Sequence, residues 1–398
     1  MRTSMLYGPR LSRINPYTFK QKAGPLICFN GGSGGPPQVQ SFLRIEIERR
    51  EDSYLSPFAT KSACDPASND RRAYFEKPDL YRTRFARDRD RIIHALHFIL
   101  LSGKTQVFPV LPSIPHPIIT TRAFHVLRLS QLARSIARAI GLNENLVEAI
   151  ALGHDMGHMP FGHAGERAIQ EATMADVNLI GGRKFKHEPF ALRVVDALET
   201  IEGRNISGLN LTFEVRDGIA RHCGEDLRNE LVPSTEMDLN IQALPTTLEG
   251  CLIKIMDVVG YAPQDLRDLM YAGYITWEVV PSKVKQVLGT SIREMYNTLV
   301  NDIITNSQGK NMIMMSPQCF TALEYLKDFI INTIKDNFKE IEPKLKRDIM
   351  TYYQKRKEQG ILPQQIIDEM VGMTDKQLFE QLTHYQSLSR RALAWLKK

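Results

Sequence analysis

Apolar residues recur at intervals of three and four along most of the chain from about residue 85 onward, and this spacing predicts amphipathic α-helices. One such segment has its apolar positions at Val126, Leu129, Ala133, Ile136 and Ile140. Gly141 follows it as a stop signal, and Asn143 suits the N-cap of a second helix, predicted over residues 144–153. Further helical segments are predicted around residues 248–270, 282–305, 318–358 and 363–397.

Alternation of apolar and polar residues, the pattern of a half-buried strand, is scarce in this chain. The best candidate for a short strand or hairpin is the segment from Leu209 to Val215. No internal repeat stands out. The pattern therefore predicts an all-α protein with minor β content.

Composition adds a soluble, mildly basic character to this picture. The chain has 43% hydrophobic and 24% charged residues and a formal net charge of +6. That charge suits a polyphosphate substrate or nucleic-acid contact, but a solvated basic surface explains it equally well. No apolar run approaches the ~18 residues of a membrane span.

Cysteine usage favours a reducing compartment. The five cysteines are widely spaced and form no CxxC pair: Cys28, Cys64, Cys223, Cys251 and Cys319. We therefore expect reduced thiols in a cytoplasmic protein, without a disulfide framework or a zinc ribbon.

The N-terminal residues differ from the rest of the chain. Residues 31–37 read Gly-Gly-Ser-Gly-Gly-Pro-Pro, which is a linker composition, and they lack the GK[ST] ending of a phosphate-binding P-loop. We interpret residues 1–45 as a flexible extension.

Histidine placement carries the chemical signal. His154 and Asp155 are adjacent at the end of the second predicted helix, and His125 lies on the preceding helix in phase with Leu129. Two packed helices can bring two imidazoles and a carboxylate around one cation. Asp257 is the candidate for a fourth ligand, because it interrupts the apolar run 252–259. A core aspartate paired with an arginine or a backbone amide is the alternative for Asp257.

The loop that follows the His-Asp doublet adds candidate acid/base groups. His163 and Glu166 are three residues apart at the predicted start of the next helix, so the carboxylate can orient the imidazole. Taken alone, such a pair is usually a surface feature. Its position eight residues after the doublet favours a function.

At this point the sequence resembles the HD-domain metal phosphohydrolases, through the order His125, His154-Asp155, Asp257. The run from Gly153 to Glu166 is similar to the deoxyguanosine triphosphate triphosphohydrolase branch of that family. Supporting segments are Arg82–Phe85, Asp88–His94, Lys104–Phe108, Phe185–Glu188, Asn210–Ile219 and Gly372–Asp375. The resemblance covers roughly residues 48–398.

The resemblance implies an HD-domain helical bundle with additional C-terminal helices. Residues 46–310 would form the metal phosphohydrolase core, and residues 311–398 a helical region packed on it. It implies one divalent metal ion (manganese, magnesium, iron or zinc) held by His125, His154, Asp155 and Asp257. His163, oriented by Glu166, would handle protons at the attacked phosphate. The expected reaction converts a deoxynucleoside triphosphate, dGTP or several dNTPs, into deoxynucleoside and inorganic triphosphate.

Four further residues match substrate contacts of the family. Arg122 and His187 would meet phosphates, Tyr261 would pack against the sugar, and Asp265 would accept a hydrogen bond from the 3′-hydroxyl. Arg122 could instead be a solvated helix charge, and Asp265 an ordinary helix-surface partner of nearby charges. For His158, support of the metal site and contact with a phosphate remain equally open.

The chain also departs from the family pattern. Residues 98–103 read Phe-Ile-Leu-Leu-Ser-Gly where the family commonly has basic residues, and Phe124 and Arg128 replace small and acidic ones. Two alternatives therefore stay open: an HD phosphohydrolase acting on another nucleotide phosphate ester, and a weakly active scaffold that binds nucleotides or single-stranded nucleic acid. We also expect a homo-oligomer and no membrane association.

Overall fold

Helices make up nearly all of the regular structure in this computed structural model, which describes residues 37–63, 71–107, 120–174, 176, 185–223, 227–239 and 241–385. The helices of the N-terminal half are α1 (Pro37–Tyr54), α2 (Arg84–His94), α3 (Leu96–Leu100), α4 (Arg122–Ile140), α5 (Glu144–Gly153), α6 (Gly162–Ala172), α7 (His187–Arg193) and α8 (Phe213–Ala220). Those of the C-terminal half are α9 (Leu248–Tyr271), α10 (Ser282–Leu288), α11 (Ile292–Ser307), α12 (Pro317–Phe338), α13 (Ile341–Glu358), α14 (Pro363–Val371) and α15 (Asp375–Tyr385).

The only β-sheet among the described residues has two short strands. Strand β1 (Glu230–Leu231) pairs antiparallel with β2 (Ile313–Met314), and Leu231 lies opposite Ile313. The predicted all-α class with minor β content is therefore confirmed.

Helices α4 and α5 form as the sequence predicts, because their boundary signals are local. Gly141 adopts a left-handed φ of 76° at the end of α4, and its N–H donates to the Ala137 carbonyl. The Asn143 side chain accepts hydrogen bonds from the N–H groups of Asn145 and Leu146, which caps α5. The two helices pack against each other across this short link.

Helix α9 is one of the most extensively packed helices around the site. It packs against α4, α5, α8 and α12, and most of its residues are buried. Its 24 residues extend over about 36 Å at 1.5 Å per residue. Pro263 lies inside α9, yet the helix continues to Tyr271, so Asp257, Tyr261 and Asp265 share one helix.

The strand or hairpin predicted from Leu209 to Val215 is wrong. Asn210 adopts a left-handed φ of 49°, which ends any extended run. The backbone N–H and the hydroxyl of Thr212 both donate to Asp88 Oδ2 at 2.8 Å, and α8 begins at Phe213. Tertiary contacts with a buried aspartate therefore override the local alternation.

The C-terminal helices are shorter than the apolar spacing alone predicts. The segment 282–305 divides into α10 and α11 around Gly289, whose φ is 109°, and the segment 318–358 divides into α12 and α13. Helix α15 reaches Tyr385, and residues 386–398 lie outside the described residues.

The proposed division of the chain stays a prediction. Residues 31–36 of the expected linker lie outside the described residues, and the boundary at residue 45 falls within α1. Residues from Val39 onward form one compact unit. Cys223, Cys251 and Cys319 form no disulfide among the described residues, whereas Cys28 and Cys64 lie outside them. Within the described part, no helix combines the length and apolarity needed to cross a membrane.

Candidate metal centre

Three packed helices bring the four predicted metal ligands together. His125 lies in the first turns of α4, His154 and Asp155 follow directly on α5, and Asp257 lies in the middle of α9. Donor atoms of His125, His154 and Asp155 all lie within 4.8 Å of one another. Asp257 Oδ1 is 3.1 Å from His125 Nε2 and 3.6 Å from His154 Nε2.

The orientation of His154 suits a metal ligand. Its Nδ1 lies 2.7 Å from the carbonyl oxygen of Ala151, so this nitrogen carries the proton and donates. This leaves Nε2 to face a cation, and that buried atom has no hydrogen-bond partner. A backbone carbonyl that fixes the imidazole tautomer is the usual support of a metal-binding histidine.

Electrostatics at His154 favour a positive charge. Burial lowers the pKa of His154, but Asp155 and Asp257 outweigh burial and raise that pKa above its ordinary value. The two carboxylates thus create a negative potential at the imidazole. A bound cation would satisfy the same potential.

Asp257 differs from a core aspartate satisfied by an arginine or a backbone amide. Its carboxylate faces the imidazoles of His125 and His154, and a donor atom of His222 also lies within 4.8 Å. Burial raises the pKa of Asp257, and His125 and His154 reverse that effect and hold the pKa well below its ordinary value. The carboxylate is therefore ionised and available as a ligand.

Arg122 is buried rather than solvated, so the alternative of a surface charge fails. Only 1% of its surface is exposed. Its Nη1 donates to Asp155 Oδ2 at 2.9 Å, while Nε and Nη2 are buried without a hydrogen-bond partner. Burying an arginine with two unused donor groups is costly unless a ligand supplies acceptors.

His158 contacts both a predicted metal ligand, Asp155, and a predicted phosphate contact, His187. Its Nε2 lies 3.2 Å from Asp155 Oδ1, and its ring stacks on His187 with centroids 3.7 Å apart. Burial, with Arg122 and His187, holds the pKa of His158 well below its ordinary value. Both roles considered for His158 remain compatible with this position.

His163 and Glu166 meet as predicted near the start of α6. His163 Nδ1 lies 3.2 Å from Glu166 Oε2, and the imidazole is largely exposed. The other carboxylate oxygen of Glu166 accepts the backbone N–H of His187 at 3.0 Å. Burial raises the pKa of Glu166, but His187 and His163 outweigh it and keep that pKa well below its ordinary value.

His187 is a second cationic side chain, after Arg122, near the predicted metal ligands. Burial lowers its pKa, but Glu188 and Glu166 outweigh burial and raise it to about 9. Its Nε2 lies 3.2 Å from His222 Nε2. Burial, with His154 and His187, lowers the pKa of His222 to about 4. A protonated His187 therefore donates to a neutral His222.

His222 is the site residue that the sequence analysis missed. It follows the apolar helix α8, as His154 follows α5, and its Nδ1 lies 2.7 Å from the Ile219 carbonyl three residues earlier. Its ring lies 4.8 Å from that of His154. The shared signal, a histidine directly after a buried helix, could have identified it.

Part of this site lines a cavity of about 430 Å³. Its lining includes seven of the ten predicted site residues, namely Arg122, Asp155, His163, Glu166, His187, Asp257 and Tyr261. The lining residues that the sequence analysis did not assign are Gln106, Arg167, Gln170, Lys186, Glu188, Cys223, Lys327 and Ile331, together with His158.

Asp265 lies deeper than predicted and is not among the residues that line the cavity. It is buried, and its Oδ1 has no hydrogen-bond partner. Arg267 pairs with Asp268 at 3.1 Å instead, so an ion pair with this neighbour does not explain Asp265. Its assignment as a substrate contact stays a prediction.

Comparisons with known proteins agree with this arrangement. An HD-domain family model matches residues 122–261. A deoxyguanosinetriphosphate triphosphohydrolase-like protein from Desulfatibacillum aliphaticivorans is 39% identical over 295 residues, covering 73% of this chain and 77% of that protein. A protein of the same description from Caldanaerobacter subterraneus is 37% identical over 350 residues, covering 84% and 93%. Another from Clostridium perfringens is 35% identical over 358 residues, covering 85% and 93%.

Proposed function

Because this chain belongs to the deoxyguanosinetriphosphate triphosphohydrolase-like family and carries an HD domain, we propose that it hydrolyses a deoxynucleoside triphosphate, dGTP or several dNTPs, to deoxynucleoside and inorganic triphosphate. The coarser function, phosphohydrolysis with a divalent metal ion, follows from the family and from the donor set. One observation carries the finer proposal: a buried arginine with two unused donor groups lies beside the candidate metal centre and opens into the same cavity.

The donor set fits a divalent cation. His125, His154, Asp155 and Asp257 would hold it, since two imidazoles and two carboxylates form a mixed nitrogen and oxygen site suited to manganese, iron, magnesium or zinc. The unpartnered Nε2 of His154 is the atom that most needs such an occupant. When bound, a cation of this kind neutralises charge that develops on an attacked phosphate and lowers the pKa of a nearby water.

Phosphate recognition would come from positively charged side chains that the fold already holds in place. The Nη1 of Arg122 is occupied by Asp155, which directs its unused Nε and Nη2 toward acceptors such as phosphate oxygens. The protonated His187 adds a second positive charge, and Lys186 and Lys327 also line the cavity. With Arg167, five cationic side chains line this cavity, which suits a triphosphate.

His163 would manage the proton of the cleavage step. Its Nδ1 is held by the ionised Glu166, so its Nε2 is the atom that can exchange a proton. In the proposed step a water oxygen bonds to the innermost phosphorus, and the bond from that phosphorus to the 5′-oxygen breaks. The 5′-oxygen leaves with a proton delivered from His163, and the water proton is lost to solvent.

Sugar recognition would fall to α9. Tyr261 lines the cavity one turn after Asp257, where its ring can pack against a deoxyribose and exclude a 2′-hydroxyl. Asp265, one turn further, would accept from the 3′-hydroxyl with its unpartnered Oδ1. This second contact requires a local side-chain adjustment, because Asp265 lies outside the cavity lining.

A product assay tests the proposal. Purified protein is incubated with Mn²⁺ and each dNTP in turn, and the products are separated by ion-exchange chromatography. Stoichiometric deoxynucleoside and inorganic triphosphate are expected. Release of pyrophosphate or of single phosphate would contradict the proposed bond cleavage, and turnover of other nucleotide phosphate esters alone would favour a different HD phosphohydrolase.

A further inference from the structure

The carboxylate of Asp375, in the C-terminal helices, accepts hydrogen bonds from two segments that carry residues of the candidate site. Asp375 is the first residue of α15 and is buried. Its Oδ1 accepts the backbone N–H of Phe161 at 2.8 Å, and its Oδ2 accepts the backbone N–H of Thr105 at 3.0 Å. One side chain thus joins segments that lie 214 and 270 residues away in the chain.

The first of these contacts holds the loop that carries the proton-handling histidine. Phe161 adopts a left-handed φ of 64°, an unfavourable conformation for a residue with a side chain, and Gly162 follows with a φ of 56°. Helix α6 begins there, with His163 as its second residue. Fixing the Phe161 N–H therefore fixes the direction in which α6 begins.

The second contact holds the segment that precedes the phosphate-binding arginine. Thr105 forms an isolated antiparallel bridge with Thr121, and the Lys104 carbonyl accepts the backbone N–H of Arg122 at 3.0 Å. Gln106, the next residue, lines the cavity. Asp375 therefore sets the distance between the segment that carries Arg122 and the loop that carries His163.

Lys104 also connects the loop before α6 to the end of α14. Its Nζ donates to the carbonyl of His158 at 2.8 Å and to the carbonyl of Val371 at 2.7 Å, and the side chain is completely buried. Gly103 packs directly on Thr374: a Cβ at this glycine would lie 2.5 Å from Thr374 Cγ2. The turn between α14 and α15 thus packs tightly against residues 103 and 104, which precede Thr105.

We propose that Asp375 and Lys104 are positioning residues for the reaction, through which the turn between α14 and α15 keeps His163 and Arg122 in register with the metal ligands. The inference rests on the proposed function for its catalytic consequence. It also gives a role to residues 104–107 and 372–375, which have no direct part in the proposed chemistry.

The test replaces Asp375 by asparagine in the full-length protein. An amide offers one oxygen where two N–H groups need acceptors, so one backbone contact is lost without a change in side-chain volume. We expect kcat for the best dNTP to fall at least tenfold while KM changes less than threefold, because small displacements of reacting groups are costly. Bound metal per chain should be unchanged. Amide hydrogen exchange of a peptide covering residues 156–166 should accelerate.

A matched control comes from the preceding helix. Asp368 pairs with Arg193, at the end of α7 opposite His187, through two hydrogen bonds of 2.7 and 2.6 Å. It is not a partner of Phe161 or Thr105, so Asp368→Asn should leave kcat and the exchange of residues 156–166 unchanged. If Asp375→Asn does not fold, Gly103→Ala supplies the second variant. It displaces Thr374 by adding one methyl group and should lower kcat in the same way.

Two results overturn the inference: kcat of the folded variant within twofold of the wild type, or unchanged exchange of residues 156–166. If the wild type releases no inorganic triphosphate, the proposed function fails. The exchange measurement then still decides whether Asp375 holds the loop.

Discussion

The guanidinium of Arg122 donates from Nη1 to Oδ2 of Asp155 at 2.9 Å, and both side chains are buried. This contact links a predicted phosphate-binding group directly to a predicted metal ligand. Burial raises the pKa of Asp155, but Arg122 and His154 outweigh burial and hold that pKa well below its ordinary value. The carboxylate is therefore charged at any pH at which the protein is expected to work, and the arginine is oriented before substrate arrives.

Replacing Arg122 by lysine should strongly reduce turnover. The ammonium group can neutralise Asp155, but it cannot also present two further donors to a phosphate. We expect kcat/KM for dNTPs to fall about 100-fold, the size of effect seen when one preorganised donor is removed from a reaction centre. Steady-state kinetics on the purified variant measure this change.

Arg128→Lys provides the matched control for that variant. Arg128 lies on the same helix, is exposed, and donates to Gln264 at 3.2 Å. Its replacement should leave kcat/KM within twofold of the wild type. Equal losses in the two variants would mean that Arg122 acts only through the stability of α4.

Replacing Asp257 by asparagine should remove the metal. The variant keeps the volume of the side chain but loses the negative charge that His125 and His154 now face. Metal content after dialysis, measured by inductively coupled plasma mass spectrometry, should fall from about one ion per chain to less than about one tenth. Asp265→Asn, on the same helix, should retain the full metal content. Full retention in the Asp257 variant would remove this residue from the ligand set.

Local signals account for the parts of the fold that the sequence predicts well. The stop at Gly141 and the cap at Asn143 act within one helical turn, so α4 and α5 could be placed from their own residues. His125 could be assigned to the interior because it shares a helix face with Leu129. The contact of His125 with Asp257, 132 residues further along the chain, agrees with that interior position.

Contacts between distant segments account for what the sequence does not reveal. The alternation from Leu209 to Val215 fails because Asp88, 124 residues away, holds Thr212 in the turn before α8. The role of Asp375 is hidden for the same reason, since both of its partners are backbone groups of remote segments. Backbone N–H groups leave no signature in the sequence, so such contacts require the structure.

Replacing Tyr261 by alanine should relax discrimination between deoxyribose and ribose. The ring lines the cavity one turn after Asp257, where the proposed substrate places its sugar. Removing the ring opens space for a 2′-hydroxyl, so the ratio of kcat/KM for dGTP to that for GTP should fall about tenfold, or ~1.4 kcal/mol. Competition assays with both nucleotides measure the ratio. An unchanged ratio would assign sugar selection to another residue.

Lys104 should make the stability of the protein depend on pH above neutrality. Burial lowers its pKa from the ordinary 10.5 to about 7, although Asp375 opposes this effect. Between these two values the unfolded chain binds one more proton than the folded protein, so the free energy of unfolding rises with pH. The rise should approach about 1.4 kcal/mol per pH unit. Urea unfolding of the wild type and of Lys104→Met between pH 7.5 and 9.5 tests this, because the methionine variant lacks the titrating group. If the difference in unfolding free energy between the two proteins stays constant over this range, Lys104 remains protonated in the folded state and its contacts with His158 and Val371 are those of an ammonium ion.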